Sequence, residues 1–135
     1  MNTGKGILIA ASVLIAATVA VSIIQNPPSL ERARRMDQMR VSSLTTLERR
    51  VSSYVSQNKK LPVDVQAFCS NCGDDRNDPE TQVPYEYRAL TDKDYELCAI
   101  FATETLRKGQ RVTGYQSEWQ HEAGRVCFKR TARLQ

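Results

Sequence analysis

An uninterrupted apolar run constrains this chain more than any other feature. Eighteen uncharged residues, Ile7 to Ile24, follow a short N-terminal tail at residues 1–6. With a rise of about 1.5 Å per residue the run forms a helix about 27 Å long, close to the hydrocarbon thickness of a bilayer. Its polar side chains, Ser12, Thr18 and Ser22, are small enough to hydrogen-bond to their own helix. The run predicts a transmembrane helix over residues 7–24, with a buried core helix as the alternative.

A cleaved secretory signal is the main competing interpretation of the same run. Such signals also begin with a short positive tail followed by an apolar core. The segment Thr18–Ala20 forms a poor cleavage site, and the apolar run continues four residues beyond Ala20. The sequence therefore favours an uncleaved, single-pass anchor.

The orientation of this anchor depends on two opposing signals. Lys5 precedes the apolar run, whereas Arg32, Arg34 and Arg35 follow it closely, and the positive-inside rule then favours a cytoplasmic domain. Four cysteines in a small domain instead indicate an oxidising compartment, because disulfides rarely persist in the cytosol. Giving precedence to the cysteines, we expect the C-terminal head to lie on the oxidising side of the membrane.

The length and charge of the remainder restrict the possible partners. The 111 residues from Gln25 to Gln135 suffice for one small domain. The net charge is +5 over Leu30–Lys60 and −2 over Leu61–Gln135. A basic segment next to a membrane anchor is attracted to anionic lipid headgroups by about 1 kcal/mol per Lys or Arg. It lacks interleaved aromatic residues, so we expect no nucleic-acid partner.

A long amphipathic helix is predicted after the apolar run, as a stalk over residues 25–60. Gln25–Pro28 interrupts the first helix, and Ser29 is a suitable N-cap for a second helix that begins at Leu30 and ends near Asn58. Three- and four-residue spacing predicts one packed face: Leu44, Leu47, Val51, Tyr54 and Val55. The opposite side is assigned to a solvated surface: Arg40, Ser42, Thr46, Arg49, Arg50, Ser53 and Gln57.

The head, residues 61–135, is predicted to be mainly antiparallel sheet. Pro62 suits the first turn of a short helix at Val63–Phe68, and Cys69–Thr81 is dense in turn residues. The three predicted strands are Val83–Leu90, Tyr95–Thr103 and Gly124–Thr131, with a hairpin turn at Thr91–Asp94 and a long polar loop at Glu104–Ala123. The fold class is therefore α+β, with a transmembrane helix and a long helix packed on a small antiparallel sheet of three or four strands.

At this point the chain resembles the pilin and pseudopilin superfamily, the membrane-anchored subunits of type IV pili and type II secretion systems. Lys5-Gly6 before the apolar run resembles a prepilin-peptidase site, and Pro27 and Pro28 lie where the family's first helix often carries a proline. The segment Asp78–Thr103 (DPETQVPYEYRALTDKDYELCAIFAT) resembles a pseudopilin-like head. Further matching positions are Tyr54, Asn58, Leu61, Pro62, Trp119, His121, Gly124, Arg125, Cys127 and Phe128.

The resemblance implies a pilin-like fold and a non-enzymatic role. It also implies other pseudopilin or secretion-system subunits as partners, at the bacterial inner membrane, with the C-terminal head in the periplasm. One residue differs from the family pattern. Ala11 stands where most members carry a glutamate that neutralises a neighbouring subunit's terminal amine within the membrane. Filament membership and cleavage after Gly6 therefore stay open.

The four cysteines are expected to form two disulfides, although four cysteines allow three pairings. We predict Cys98 with Cys127 and Cys69 with Cys72. The first bond would join the second and third strands and contribute about 3 kcal/mol by closing a long loop. The second closes a very short loop and contributes less.

A metal or thiol site is the alternative for the same cysteines. Cys69 and Cys72 have ligand spacing, and His121 and Cys127 would complete a tetrahedral zinc site. Redox catalysis by the Cys69-Ser-Asn-Cys72 motif is less favoured, because the motif lies in an acidic loop and not at a helix start after a strand. A calcium site is a further alternative, since major pseudopilins bind calcium in their heads; its ligands would be Asp74, Asp75, Asn77 and Asp78.

Two aromatic residues, Trp119 and Phe128, are candidates for a partner-binding patch, although the small number of aromatic residues in the chain, nine, favours core packing for both. No hydrolase motif, metalloprotease motif or phosphate-binding glycine loop is present. The sequence therefore predicts no enzymatic activity and no cofactor. It predicts an anchored structural or interaction protein of, or beside, a secretion or pilus-like assembly, with a free-standing scaffold or sensor as the alternative.

Overall fold

The computed structural model describes residues 2–25, 27–105 and 118–132. Its elements are α1 (Asn2–Gln25), α2 (Pro28–Asn58), α3 (Val65–Phe68), a 3-10 helix (Gly73–Arg76), β1 (Glu86–Ala89), β2 (Asp94–Phe101) and β3 (Gly124–Thr131). The chain forms two compact units, Met1–Ala33 and Arg34–Gln135. Most of the polar loop predicted at Glu104–Ala123 lies outside the described residues.

The first helix agrees with the predicted membrane span. Its segment Gly6–Ile24 is long and apolar enough to cross a membrane, and none of that segment is buried within the protein. The hydroxyls of Ser12, Thr18 and Ser22 donate to carbonyls of their own helix at 2.8 to 2.9 Å. Their polarity is therefore satisfied without water. Residues 2–6, which the sequence suggested as a separate tail, continue the helix.

The second helix begins two residues earlier than predicted, at Pro28. Proline suits a helix start because it lacks the N–H that would have no partner there. The N–H groups of Leu30 and Glu31 both donate to the Pro27 carbonyl, at 3.0 and 3.3 Å. The helix ends at Asn58, and Lys59 adopts a left-handed conformation with φ 56°.

The predicted apolar face of α2 is confirmed. Leu44, Leu47, Val51 and Val55 are each at most 1% exposed, and they join a core with side chains from the sheet. Full burial of each such aliphatic side chain contributes about 1.5 to 3 kcal/mol. The predicted solvated face is wrong at one position, because Arg40 is only 3% exposed.

The strands form one antiparallel sheet in the order β1-β2-β3. The third strand has the predicted bounds, whereas β1 is much shorter than predicted. Pro84 cannot donate a ladder hydrogen bond, and it bridges to Asn77 while the Tyr85 N–H donates to the Arg76 carbonyl. Pro84 and Tyr85 therefore pair with residues 76–77 of the preceding loop, and pairing with β2 begins only at Glu86. The predicted turn forms, with the Leu90 and Thr91 N–H groups donating to the Asp94 carbonyl.

The two faces of the sheet have different chemistry. The face that carries Tyr95, Leu97 and Phe101 is buried against the core. The opposite face carries three ion pairs between strands: Arg88–Glu96, Arg125–Glu86 and Lys129–Asp94. Exposed pairs of this kind each contribute at most about 1 kcal/mol.

Candidate functional site

A buried ionic cluster around Arg40 lies where helix, loop and sheet meet. Its guanidinium donates from Nη1 to Asp37 Oδ1 at 2.8 Å, from Nε to Asp78 Oδ2 at 2.5 Å and from Nη2 to Glu80 Oε2 at 3.0 Å. Asp37 is 3% exposed and Asp78 is 7% exposed. We call these four residues the Arg40 cluster.

The carboxylate of Asp37 ties α2 to the end of β2. Asp37 and Arg40 are three residues apart on the helix, so both side chains lie on one face. Asp37 Oδ1 accepts the Ala102 N–H at 3.0 Å, and Oδ2 accepts both the N–H and the hydroxyl of Thr103, at 2.7 and 2.6 Å. All three hydrogen bonds join α2 to the two residues that directly follow β2.

The carboxylate of Asp78 organises the loop on the other side of Arg40. Its Oδ1 accepts the N–H groups of Glu80 and Thr81, each at 2.9 Å. The Asp78 N–H donates to the Val83 carbonyl at 2.8 Å. The loop is therefore closed on itself and presents its carboxylate to the guanidinium.

Three charges of the cluster, those of Asp37, Arg40 and Asp78, are held fixed at neutral pH. Burial raises the pKa of the Asp78 carboxyl, but hydrogen bonds from Arg40 and from the backbone outweigh burial and lower the pKa to about 2. Burial also opposes ionisation of Asp37, yet hydrogen bonds from Thr103, Ala102 and Arg40 hold its pKa below the usual range. The hydrogen bond to Asp78 raises the pKa of Arg40. None of these three groups titrates near pH 7, so the cluster acts as a structural joint and not as an acid–base pair.

A second charged contact joins α2 to the sheet around Arg130. Its Nε lies 3.1 Å from Glu48 Oε1, and its Nη2 donates to the Glu118 carbonyl at 2.9 Å. The guanidinium carbon of Arg130 lies 4.4 Å from the centre of the Trp119 ring, as in a cation–π interaction.

The candidate partner-binding patch, Trp119 and Phe128, belongs to the core, as the favoured interpretation predicted. Trp119 is 1% exposed and Phe128 is 6% exposed. Their rings meet edge to face with centroids 4.8 Å apart. Both rings are buried because Phe128 lies on the inner face of β3, opposite Leu97 of β2, and Trp119 packs against it.

Both predicted disulfides are present, and none of the four cysteines is free. Cys98 and Cys127 lie directly opposite each other in β2 and β3, with Cα atoms 4.0 Å apart. Cys69 and Cys72 are bonded across a short loop and are buried in the core.

The alternative zinc ligands are not brought together. Cys127 is bonded to Cys98, whereas the His121 ring stacks on Phe101 at the end of the sheet, with centroids 3.6 Å apart. Burial lowers the pKa of His121. Within the described residues, the group of potential metal ligands that lie within 4.8 Å of one another is Glu96, Cys98 and Cys127, and its two sulfur atoms are bonded to each other.

The structure also gives the alternative calcium ligands other roles. Asp74 and Asp75 lie in the 3-10 helix, and Asp78 directs its carboxylate to Arg40. The positive charge beside Asp78 is therefore the guanidinium of the chain itself.

Sequence reasoning missed the Arg40 cluster, although a signal was present. Asp37 and Arg40 continue the spacing of Leu44, Leu47 and Val51 toward the start of the helix. Charged residues in phase with an apolar stripe indicate a buried ion pair, because that face packs against the core.

The bond between Cys98 and Cys127 gives a testable expectation for the head. Replacing both cysteines with alanine should lower the free energy of unfolding by about 3 kcal/mol, because the bond closes a loop between residues far apart in sequence. The same change at Cys69 and Cys72 removes a much shorter loop, and its loop-closure contribution is only about 1 to 2 kcal/mol. Thermal melting of the full chain in detergent micelles measures both. Equal losses would contradict this ranking.

Comparison of the chain with protein-family models, with curated proteins and with solved structures found no match.

Proposed function

We propose that this chain is a membrane-anchored, non-enzymatic, pseudopilin-like protein that makes structural contacts within or beside a type II secretion or pilus-like assembly. The observation that carries the proposal is a single apolar helix followed by a small domain that holds two disulfides. This combination suits a protein held in the inner membrane with its head in the oxidising periplasm.

The arrangement of the head supports a binding role more than a catalytic one. The buried face of α2 covers a three-stranded antiparallel sheet, which is the layout that the resemblance to pseudopilins implies. Asp37, Arg40 and Asp78 keep their charges at neutral pH, and the cysteines are oxidised. These features support a head that acts through protein contacts.

The location of the head is tested with two C-terminal fusions to the full chain. Alkaline phosphatase is active only after export, whereas a fluorescent protein that folds only in the cytosol reports the opposite orientation. We expect phosphatase activity without fluorescence, together with four cysteines that resist thiol labelling in unreduced protein. Fluorescence with four labelled cysteines would overturn both the location and the function.

The assembly is tested by photo-crosslinking from the membrane helix in living cells. A photoreactive residue at Val13, which is exposed on α1, should trap other secretion-system subunits. The matched control is the same residue at Val63, exposed on the head. Recovery of monomer alone from the Val13 variant would favour the free-standing scaffold or sensor.

A thiol or zinc site at Cys69, Cys72, His121 and Cys127 is the remaining alternative. Under the proposal, changing Cys69 and Cys72 to serine leaves function intact. Loss of function in a variant that is still folded at the assay temperature would favour the thiol site.

A further inference from the structure

The second strand extends beyond its neighbour on one side. All of β2, Asp94–Phe101, pairs with β3, whereas β1 pairs with β2 only as far as Cys98. In the described part of the chain, Ala99, Ile100 and Phe101 therefore have a ladder partner on the β3 side alone. Such an edge presents backbone N–H and C=O groups that can pair with another extended chain.

A groove lies along this open stretch of β2. It has a volume of about 260 Å³, and Val83, Pro84 and Ile100 are among the residues that line it. Val83 is 60% exposed and Ile100 is 64% exposed. Large aliphatic side chains thus remain in solvent beside unpaired strand backbone.

The charge of the groove favours a basic occupant. Arg40, Asp78 and Glu80 line it, and Asp37 completes the cluster beneath. One guanidinium faces three carboxylates, which leaves a local net charge of −2. Glu80 provides access to that charge, because its side chain is 53% exposed. The other acid of the groove, Glu86, is paired with Arg125.

We propose that the groove binds an extended segment of a partner protein in which aliphatic residues alternate with lysine or arginine. The segment adds to β2 as a strand in line with β1, and main-chain hydrogen bonds supply affinity. Successive side chains of a strand point to opposite faces of the sheet. Aliphatic side chains would then lie beside Ile100 on the outer face, and basic ones toward Glu80 on the inner face. This inference rests on the proposed function only in that the partner is a protein.

The experiment uses two capped peptides, Val-Lys-Val-Lys-Val and Val-Glu-Val-Glu-Val, with the full chain in uncharged detergent micelles. Amide chemical shifts are followed by NMR during titration. We expect saturable shifts at Ala99–Thr103 with the lysine peptide, and an affinity at least about tenfold lower for the glutamate peptide, a difference of about 1.4 kcal/mol. The affinity for the lysine peptide should fall as salt is raised, because screening weakens the attraction.

Two exposed positions provide matched variants. Ile100→Lys should weaken binding of the lysine peptide at least about tenfold through repulsion and loss of the aliphatic contact. Val63→Lys adds the same charge at a residue that is 87% exposed and does not line the groove, and it should leave the affinity unchanged. Unchanged melting temperatures would show that both variants are folded.

Three outcomes would overturn the inference: equal affinity for the two peptides, unchanged affinity in Ile100→Lys, or self-association of the chain that Ile100→Lys abolishes. The last would assign the groove to a second copy. The fusion reporters test the proposed function separately. Phosphatase activity together with no peptide binding would contradict the docking groove and leave the proposed function standing.

Discussion

Replacing Arg40 with methionine is expected to lower the free energy of unfolding by about 3 to 5 kcal/mol. Methionine retains much of the side-chain length, but it leaves the buried carboxylates of Asp37 and Asp78 without their cation. A buried charge that loses its partner keeps its full desolvation cost, which is why the expected effect is large. Circular dichroism of the full chain during thermal melting in micelles provides the measurement.

The control for this variant is Arg50→Met, an exposed arginine on the same helix. It should change the free energy of unfolding by no more than about 0.5 kcal/mol. A comparable loss in both variants would indicate a general effect of charge on the helix and would contradict the special role of Arg40.

The pH dependence of the Arg40→Met variant provides a second test. In the native protein the pKa of Asp78 is lowered to about 2, so its stabilising contribution is complete above pH 4 and is lost as the pH falls toward 2. Without Arg40, this carboxyl loses the hydrogen bond and the charge that lower its pKa while burial remains, so we expect its pKa to rise from the native value and acid to neutralise the uncompensated charge at a higher pH. The stability gap between the native chain and the variant should therefore narrow between pH 7 and pH 4. A gap that does not change with pH would show that carboxylate desolvation is not its cause.

Trp119→Ala is expected to lower the free energy of unfolding by about 3 to 5 kcal/mol, because it leaves a cavity under the sheet. The indole is 1% exposed, and it contacts both the Phe128 ring and the Arg130 guanidinium. Trp119→Phe retains an aromatic ring and should cost clearly less. Far-UV circular dichroism during melting measures both variants.

This prediction separates a core role from a partner-binding role for the same residue. An exposed hot-spot tryptophan would affect binding when truncated and would leave the melting temperature nearly unchanged. Val63→Ala, at an exposed position of the head, serves as the control and should have little effect. A normal melting temperature for Trp119→Ala would contradict the packing described here.

The charged contacts explain how a small head is held on its helix. Four aliphatic residues, Leu44, Leu47, Val51 and Val55, provide most of the buried helix face. The Arg40 cluster binds one end of this stripe to the acidic loop, and Glu48 binds its middle to Arg130. Hydrophobic burial is non-directional and does not by itself fix how the helix is oriented on the sheet. The hydrogen-bonded ion pairs have a defined geometry and therefore fix that orientation. The same contacts place the open stretch of β2, Ala99–Phe101, beside the loop that carries Asp78 and Glu80.

Local patterns in the amino-acid sequence alone determined much of this protein. The apolar run, the packed face of α2 and the bounds of β3 follow from periodicities of one helix or one strand, which neighbouring residues set. The pairing of Cys98 with Cys127 followed from placing them on consecutive predicted strands.

Only the tertiary structure decided which groups Arg40 meets and how far β1 extends. Arg40 and Asp78 are 38 residues apart, and their contact depends on how the loop closes on itself before it reaches the helix. The small number of aromatic residues favoured core packing for Trp119, but its contacts with Phe128 of β3 and with Arg130 were known only from the tertiary structure. Contacts between distant segments depend on the packing of the whole domain. A local sequence pattern shows that a side chain is buried, but it does not show which distant residue that side chain contacts.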